Sequence, residues 1–226
     1  MPFSQKTLDF LLTNRLMDSK PWFEEHRADY EEYVLGPMRQ LVIDMEPTIR
    51  SIDPLLICEP KISRSISRIY RDTRFSRDKS IFREVMWCSF MRDRRMFHGL
   101  PGFYFEITPA GFSYGCGYYQ AAPEAMEAMR ELILAGDADF KAALRAYKKQ
   151  DVFVLLDEKY KRSRHPDAPE ELREWLDQRS ICLTARGRSM DELFSPELYK
   201  TLSTDFLRIE KVYRFLTKAE SRVVKQ

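Results

Sequence analysis

Residues 103–119, which read FYFEITPAGFSYGCGYY, have the alternation and the turn of an antiparallel β-hairpin. Apolar and aromatic side chains recur at every second position on both sides of residues 108–111, a segment with the proline and glycine typical of turns. If these four residues form the loop, Phe105 lies opposite Tyr114, and both belong to an aromatic face. We expect this face to lie in the core of an antiparallel sheet.

The other face of the hairpin carries small and polar side chains, including Glu106, Ser113, Gly115 and Gly117. Glycine within a strand often marks a bulge or a close approach of a ligand or a neighbouring element. We therefore treat Gly115 and Gly117 as candidate ligand-binding positions, and Glu106 beside them as a candidate general acid–base. The same pattern also fits a helix, beginning near Glu124, that packs on the glycines, with Glu106 accepting a hydrogen bond from an arginine.

Further strands and helices are expected around this hairpin. Apolar runs predict strands at 66–71, 85–91, 152–156 and 180–184. Apolar periodicity and capping residues predict helices before residue 53, from Glu124 to Ala135, from Asp137 to Tyr147, from Glu170 to Asp177, and as one long helix from Pro196 to about Lys218. Among the N-terminal helices, Gly36-Pro37 and Pro47 are expected to cause breaks.

These elements predict an α+β fold in which a central antiparallel sheet of at least four strands is flanked by N-terminal and C-terminal helices. With 226 residues, few glycines and no low-complexity tract, the chain is expected to form one domain, residues 1–226.

Residues 68–79 read RIYRDTRFSRDK and carry an unusual density of charge. Five of these twelve side chains are cationic and two are acidic. Guanidinium groups offer rigid pairs of donors that suit phosphate and carboxylate. The candidate ligand-binding residues of this stretch are Arg68, Arg71, Asp72, Arg74, Asp78 and Lys79.

The alternative to a ligand site is an internal network of ion pairs, and the sequence leaves both open. Arg68 stands between two apolar neighbours, so it is expected to need a carboxylate partner or a ligand. Asp72 is the nearest acid, but four residues of extended strand span roughly 13 Å. Either the chain turns at Asp72, or each side chain finds another partner.

The charge around this stretch supports a second functional hypothesis. Residues 61–95 contain eleven Lys and Arg against four acids, which gives +7 in a chain whose net charge is +2. Our first hypothesis is a protein that binds, or an enzyme that acts on, a small phosphate- or carboxylate-bearing ligand. The alternatives are a nucleic-acid-binding module that uses residues 61–95 with stacking aromatics, and a non-catalytic interaction or scaffold domain.

Other features of the sequence exclude several classes of protein. Four widely spaced cysteines, in the absence of CxxC or paired Cys/His motifs, indicate reduced thiols and a cytoplasmic protein rather than a zinc site. His26, His98 and His165 have no metal-binding spacing, and no phosphate-binding or dinucleotide-binding glycine motif is present. No apolar run is long enough to cross a membrane. We therefore expect no metal, no cofactor and no membrane partner, while the oligomeric state is left open.

Three segments together resemble the bacterial family DUF2461. They are the helical pattern from Phe10 to Tyr30 with Asn14, Trp22-Phe23 and Arg27, the stretch SRIYRDTRFSRDK at 67–79, and the strands from Phe105 to Tyr119 with Gly-Cys-Gly. The resemblance covers about residues 4–218. Many members read D-K-x-P-Y-K where this chain reads DKSIFR at 78–83. It implies one cytoplasmic α+β domain, and it supplies neither an established activity nor catalytic residues.

Overall fold

The computed structural model describes residues 2–93 and 100–223. The first part of the chain is helical. Its elements are α1 (Gln5–Met17), α2 (Lys20–Glu25), α3 (Arg27–Tyr30), a π-helical turn (Glu31–Leu35) and α4 (Gly36–Ile52). The later helices are α5 (Pro123–Leu134), α6 (Ala138–Lys148), α7 (Glu170–Leu176), α8 (Met190–Phe194), α9 (Leu198–Arg208) and α10 (Glu210–Val223). Among the described residues, no helix combines the length and apolar composition needed to cross a bilayer.

Five strands of the described chain form an antiparallel sheet, so the predicted α+β fold is confirmed. They are β1 (Met86–Met91), β2 (Pro101–Thr108), β3 (Gly111–Tyr118), β4 (Val154–Leu155) and β5 (Cys182–Arg186). Their order across the sheet is β1-β2-β3-β5-β4. The register of the last pair places Val154 opposite Thr184 and Leu155 opposite Leu183. In the hairpin of β2 and β3, alternate residues are buried, as the sequence predicts.

The residues divide into two compact units. The first comprises Met1–Phe90, Tyr104–Tyr114 and Arg186–Ser203, and the second comprises Met91–Phe103, Gly115–Ala185 and Thr204–Gln226. In the first, Phe105 stacks on Phe3 with ring centroids 5.6 Å apart. In the second, α10 packs against α5 and α6, and Phe140 contacts Phe215 at 5.2 Å between ring centroids. The expectation of one domain stays a prediction.

Proline explains the unusual turn that precedes α4. Pro37 has no N–H to give to the carbonyl of Tyr33, four residues earlier. Just before this proline, the Gly36 N–H bonds to the carbonyl of Glu31, five residues earlier, and this spacing makes the π-helical turn. The Tyr33 oxygen accepts from the hydroxyl of Thr7 on α1 at 2.6 Å. A fully buried polar residue of α1 therefore satisfies a carbonyl that proline leaves without its helical partner.

Two predicted helix boundaries are wrong. Pro47 does not divide its helix, since α4 continues to Ile52. Pro47 is exposed, and on the solvent side of a helix water can bond a carbonyl that has lost its donor. The helix predicted from Pro196 to Lys218 is two helices, α9 and α10, that meet at Ile209. Ile209 is completely buried, so a core residue lies at the joint.

Gly117 lies where the backbone of β3 meets the start of β5. Its φ is +154°, and a Cβ there would lie 2.3 Å from the carbonyl oxygen of Ile181 and 2.5 Å from the Cα of Cys182. The Tyr118 N–H donates to that same oxygen at 2.8 Å. The backbone of residues 181–182, rather than α5, therefore occupies the space beside this glycine.

We expect Gly117→Ala to destabilise the protein severely, by more than about 3 kcal/mol, because backbone atoms cannot move aside. Gly136→Ala is the matched control. Gly136 also has a positive φ, of +68°, but its Cβ would meet only the flexible end of Lys141. It should cost about 1 kcal/mol. Urea unfolding of both variants measures the difference, and equal losses would contradict the close-approach explanation.

Candidate anion-binding site

Two extended segments that hydrogen-bond to each other, residues 65–71 (the first arm) and 81–89 (the second arm), hold the ends of the charged stretch together. The strand predicted at 66–71 is wrong, since the structure has only isolated bridges there, antiparallel from Ile66 to Cys88 and from Tyr70 to Phe82, and parallel from Ile62 to Ile66. Side chains interrupt the ladder, because the Ser67 hydroxyl accepts from the Trp87 N–H at 3.0 Å. We call residues 68–80 the cationic loop, which begins within the first arm and ends where the second arm begins.

Asp18 fixes one arm of the cationic loop to the end of α1. It adopts a left-handed conformation, with φ of 43°. Its Oδ1 accepts from the N–H groups of Ile81 and Phe82 at 2.7 and 3.1 Å. The sequence analysis missed Asp18. Its partners lie more than sixty residues away along the chain, so no local pattern in the sequence marks it.

Aromatic packing supports both arms of the cationic loop. Phe23 of α2 contacts Tyr70 and Phe82 with ring centroids 5.6 and 5.0 Å apart. Tyr70 and Phe82 also contact each other, at 4.9 Å. Phe23 is only 1% exposed, so it anchors α2 and does not line an open site.

Asp78 is the centre of the ion pairs in the loop. Its Oδ2 accepts from Arg71, and also from Arg15 of α1 at 3.1 Å. Its Oδ1 accepts from the hydroxyl of Ser80 at 2.6 Å and from the Ser80 N–H at 3.0 Å. The Ser80 bonds, followed by Arg71, lower the pKa of Asp78. Arg71 further donates to Ser80 at 2.9 Å and weakly to Ser76, so its donors are largely engaged within the protein.

Asp72 pairs with Arg74 and not with Arg68. Arg74 donates from Nε to Oδ1 at 3.0 Å and from Nη2 to Oδ2 at 2.7 Å, a two-point contact. These bonds, together with the Arg74 N–H, lower the pKa of Asp72 to about 2. Arg68 acts on Asp72 only through its charge. Arg68 and Asp72, which cannot meet along an extended strand, therefore have different surroundings. Asp72 pairs with Arg74, and Arg68 is exposed.

Three cations of the cationic loop have no carboxylate partner in the described part of the chain, namely Arg68, Arg77 and Lys79. All three are exposed. Lys79 donates to the carbonyl oxygen of Thr73 at 2.9 Å, which uses one of its three donors. The two carboxylates of the loop are already engaged by other residues. The loop therefore presents positive charge to solvent from side chains other than those that hold its shape.

Glu106 and the glycines lie on the hairpin, away from the loop in sequence. Burial raises the pKa of Glu106, while a hydrogen bond from the Ser113 hydroxyl opposes that rise. Gly115 is buried, and Gly117 abuts the backbone of residues 181–182. Backbone packing is thus sufficient to explain Gly117 without a ligand.

The rest of the described chain offers few competing sites. No group of His, Cys, Asp and Glu there could hold a metal ion. His26 stacks on Trp22 and its Nδ1 bonds to the Trp22 carbonyl oxygen at 2.8 Å. A cavity of about 180 Å³ is lined by Pro37, Tyr199 and others, none of them in the cationic loop. His98 and two cations of the basic region, Arg94 and Arg95, lie outside the described residues.

Comparison with known proteins identifies the family. The model of the family described as "Conserved hypothetical protein (DUF2461)" matches residues 6–215, and the chain belongs to that family. Neither the curated proteins nor the solved structures include a significant match.

We expect Arg71→Met to lower the melting temperature by several degrees, because it leaves Asp78, Ser76 and Ser80 without a shared donor. Arg77→Met, at an exposed cation that pairs with no described residue, should leave the melting temperature unchanged or slightly raised, since it relieves repulsion within the loop. Thermal denaturation compares the two variants. Equal shifts would contradict the division of the loop into paired and unpaired cations.

The pairing of Asp72 with Arg74 also predicts how the stability of the protein changes at low pH. A carboxylate with a depressed pKa in the folded state adds stability above its unfolded pKa, near 3.8, and loses it as pH falls toward its folded value of about 2. Carbon-13 NMR titration should find Asp72 near that folded value. Arg74→Gln should raise the Asp72 pKa toward 3.8, whereas Lys211→Gln on α10 should not change it. An unchanged pKa in Arg74→Gln would refute the pairing.

Proposed function

We propose that this member of the DUF2461 family binds a small anionic ligand, phosphate- or carboxylate-bearing, at the cationic loop. The observation that carries the proposal is that Arg68, Arg77 and Lys79 are exposed and contact no carboxylate of residues 2–93 and 100–223, while both acids of the loop pair with Arg15, Arg71 and Arg74. An anion bound at the loop would neutralise the positive charge of these three side chains, which no described carboxylate neutralises. Arg77 joins the set of ligand-binding candidates on this ground.

In this proposal the paired residues organise the site and the unpaired ones contact the ligand. Arg71, Asp72, Arg74 and Asp78 give the loop its shape, and their charges cancel, so the positive potential of the loop comes from Arg68, Arg77 and Lys79. Preorganised donors lose less conformational entropy on binding than free ones do. Arg68, Arg77 and Lys79 supply the direct hydrogen bonds to the anion.

Binding, and not a reaction, is what we propose. Glu106 stays the acid–base candidate because burial moves its pKa upward, toward the range useful for proton transfer at neutral pH. A second candidate function is that of a scaffold domain. It is favoured by the contacts of Asp78 with Arg15 and Arg71, which tie α1 to the loop without any ligand.

A cytoplasmic location belongs to the same proposal. All four cysteines are free thiols, and Cys58, Cys88 and Cys116 are buried. Burial raises the pKa of Cys58 to about 11, which disfavours the reactive thiolate. Such thiols are suited to a reducing compartment.

The test is calorimetric titration with inorganic phosphate and pyrophosphate at low salt. We expect measurable binding that weakens about tenfold in Arg77→Gln and in Lys79→Gln, since a hydrogen bond to a charged group contributes about 1.5–3 kcal/mol. Lys211→Gln removes an exposed cation outside the loop and is the matched control. Affinity should fall with added salt.

Two results would contradict the proposal. One is the absence of phosphate and pyrophosphate binding by the intact protein. The other is an equal loss of affinity in Lys211→Gln and in the loop variants, which would mean that the anion responds to overall charge. If these anions neither bind nor change the stability of the intact protein, the scaffold function is the remaining candidate.

A further inference from the structure

Phe75 stands at the middle of the cationic loop with its ring in solvent. The residue is 95% exposed, more than the exposed aromatic Tyr119 at 86%. Burying a phenylalanine side chain is worth about 1.5–3 kcal/mol, so a ring left in water is available for contact with a ligand. Its neighbours in sequence are Arg74 and, two residues on, Arg77.

One side of this ring is already backed by a fixed cation. The guanidinium carbon of Arg74 lies over the Phe75 ring, 5.8 Å from its centroid. Asp72 holds that guanidinium at two points. Since the ring is otherwise exposed, the face away from Arg74 is open to a second flat group.

We propose that the anion bound by the cationic loop carries a planar ring beside its phosphate, as a nucleotide does, and that this ring stacks on Phe75. The inference rests on the proposed anion binding and deepens it. Arg68, Arg77 and Lys79 contact the phosphate, and Phe75 contacts the base. The same chemistry is offered by a free mononucleotide and by a single strand of nucleic acid.

The size of the exposed apolar surface favours such a ligand over a protein partner. A single ring covers roughly the area of one base, and bases stack on single aromatic side chains without reading sequence. A stable protein interface instead needs an extended patch of about 800 Å² on each partner. Arg77 and Lys79 follow Phe75 within four residues of sequence, so a ligand that stacks on the ring needs negative charge close to it, which phosphate supplies.

The test compares adenosine 5′-monophosphate with ribose 5-phosphate, which differ only by the base. In calorimetric titration we expect the nucleotide to bind about tenfold more tightly, from stacking alone. Phe75→Ala should remove that gain and change the affinity for ribose 5-phosphate by less than about twofold. Phe75→Trp should keep the gain, and Tyr119→Ala is the control for an exposed aromatic outside the loop.

A third probe, a single-stranded oligonucleotide of about ten nucleotides, separates the two sources. Tighter binding than the mononucleotide, falling steeply with salt, indicates a strand, and equal binding indicates a free nucleotide. If ribose 5-phosphate binds and the base adds nothing, or if Phe75→Ala keeps the gain, the stacking inference is overturned while anion binding stands. If ribose 5-phosphate and inorganic phosphate both fail to bind, the proposed function itself is overturned.

Discussion

The shape of the cationic loop depends on the shared carboxylate of Asp78. A loop with five cations and two acids would otherwise be held apart by its own charge. Asp78 binds Arg71 within the loop and Arg15 outside it, and it also bonds to Ser80. Each contact is exposed and individually weak, but together they fix several backbone torsions at once. The cations that remain unpaired are therefore presented from a defined frame.

This frame is continuous with the N-terminal helices. The end of α1 contributes Arg15 to the ion pair and Asp18 to the backbone N–H groups of the second arm. The position of α1 is set in turn by Thr7, whose hydroxyl bonds to the Tyr33 carbonyl oxygen that Pro37 leaves without a helical donor. A local backbone constraint in the helices thus contributes to the geometry of a loop far along the chain. Phe23 adds an apolar contact to the same arm.

The loop also separates two uses of arginine that a sequence cannot distinguish. Arg71 and Arg74 have acceptors at hydrogen-bond distance, so their guanidinium groups stabilise the structure of the loop. Arg77 has the same side chain, and no acceptor approaches it in the described part of the chain. The difference lies in the turn of residues 72–80, which brings Asp72 back to Arg74 and Asp78 back to Arg71. Under the proposal such exposed cations meet the anion, and the exposed ring of Phe75 lies two residues before Arg77 in the sequence.

Elements with local signals could be predicted from patterns of residues alone. Alternation over residues 103–119 predicted the hairpin and its buried face, and Asp137 was correctly expected to begin α6, since its side chain accepts from the N–H groups of Asp139 and Phe140. The sequence also located the charged stretch and left its two interpretations open. Tertiary structure decided the rest. Whether Pro47 interrupts a helix depends on which side faces water, and whether Ile66–Arg71 is a strand depends on the partner arm. The partners of Asp18, and Arg15 among the partners of Asp78, lie more than sixty residues away along the chain, and no periodicity in the sequence indicates such contacts. A residue's spacing fixes the face on which it lies, but its partner is fixed only when distant segments pack together.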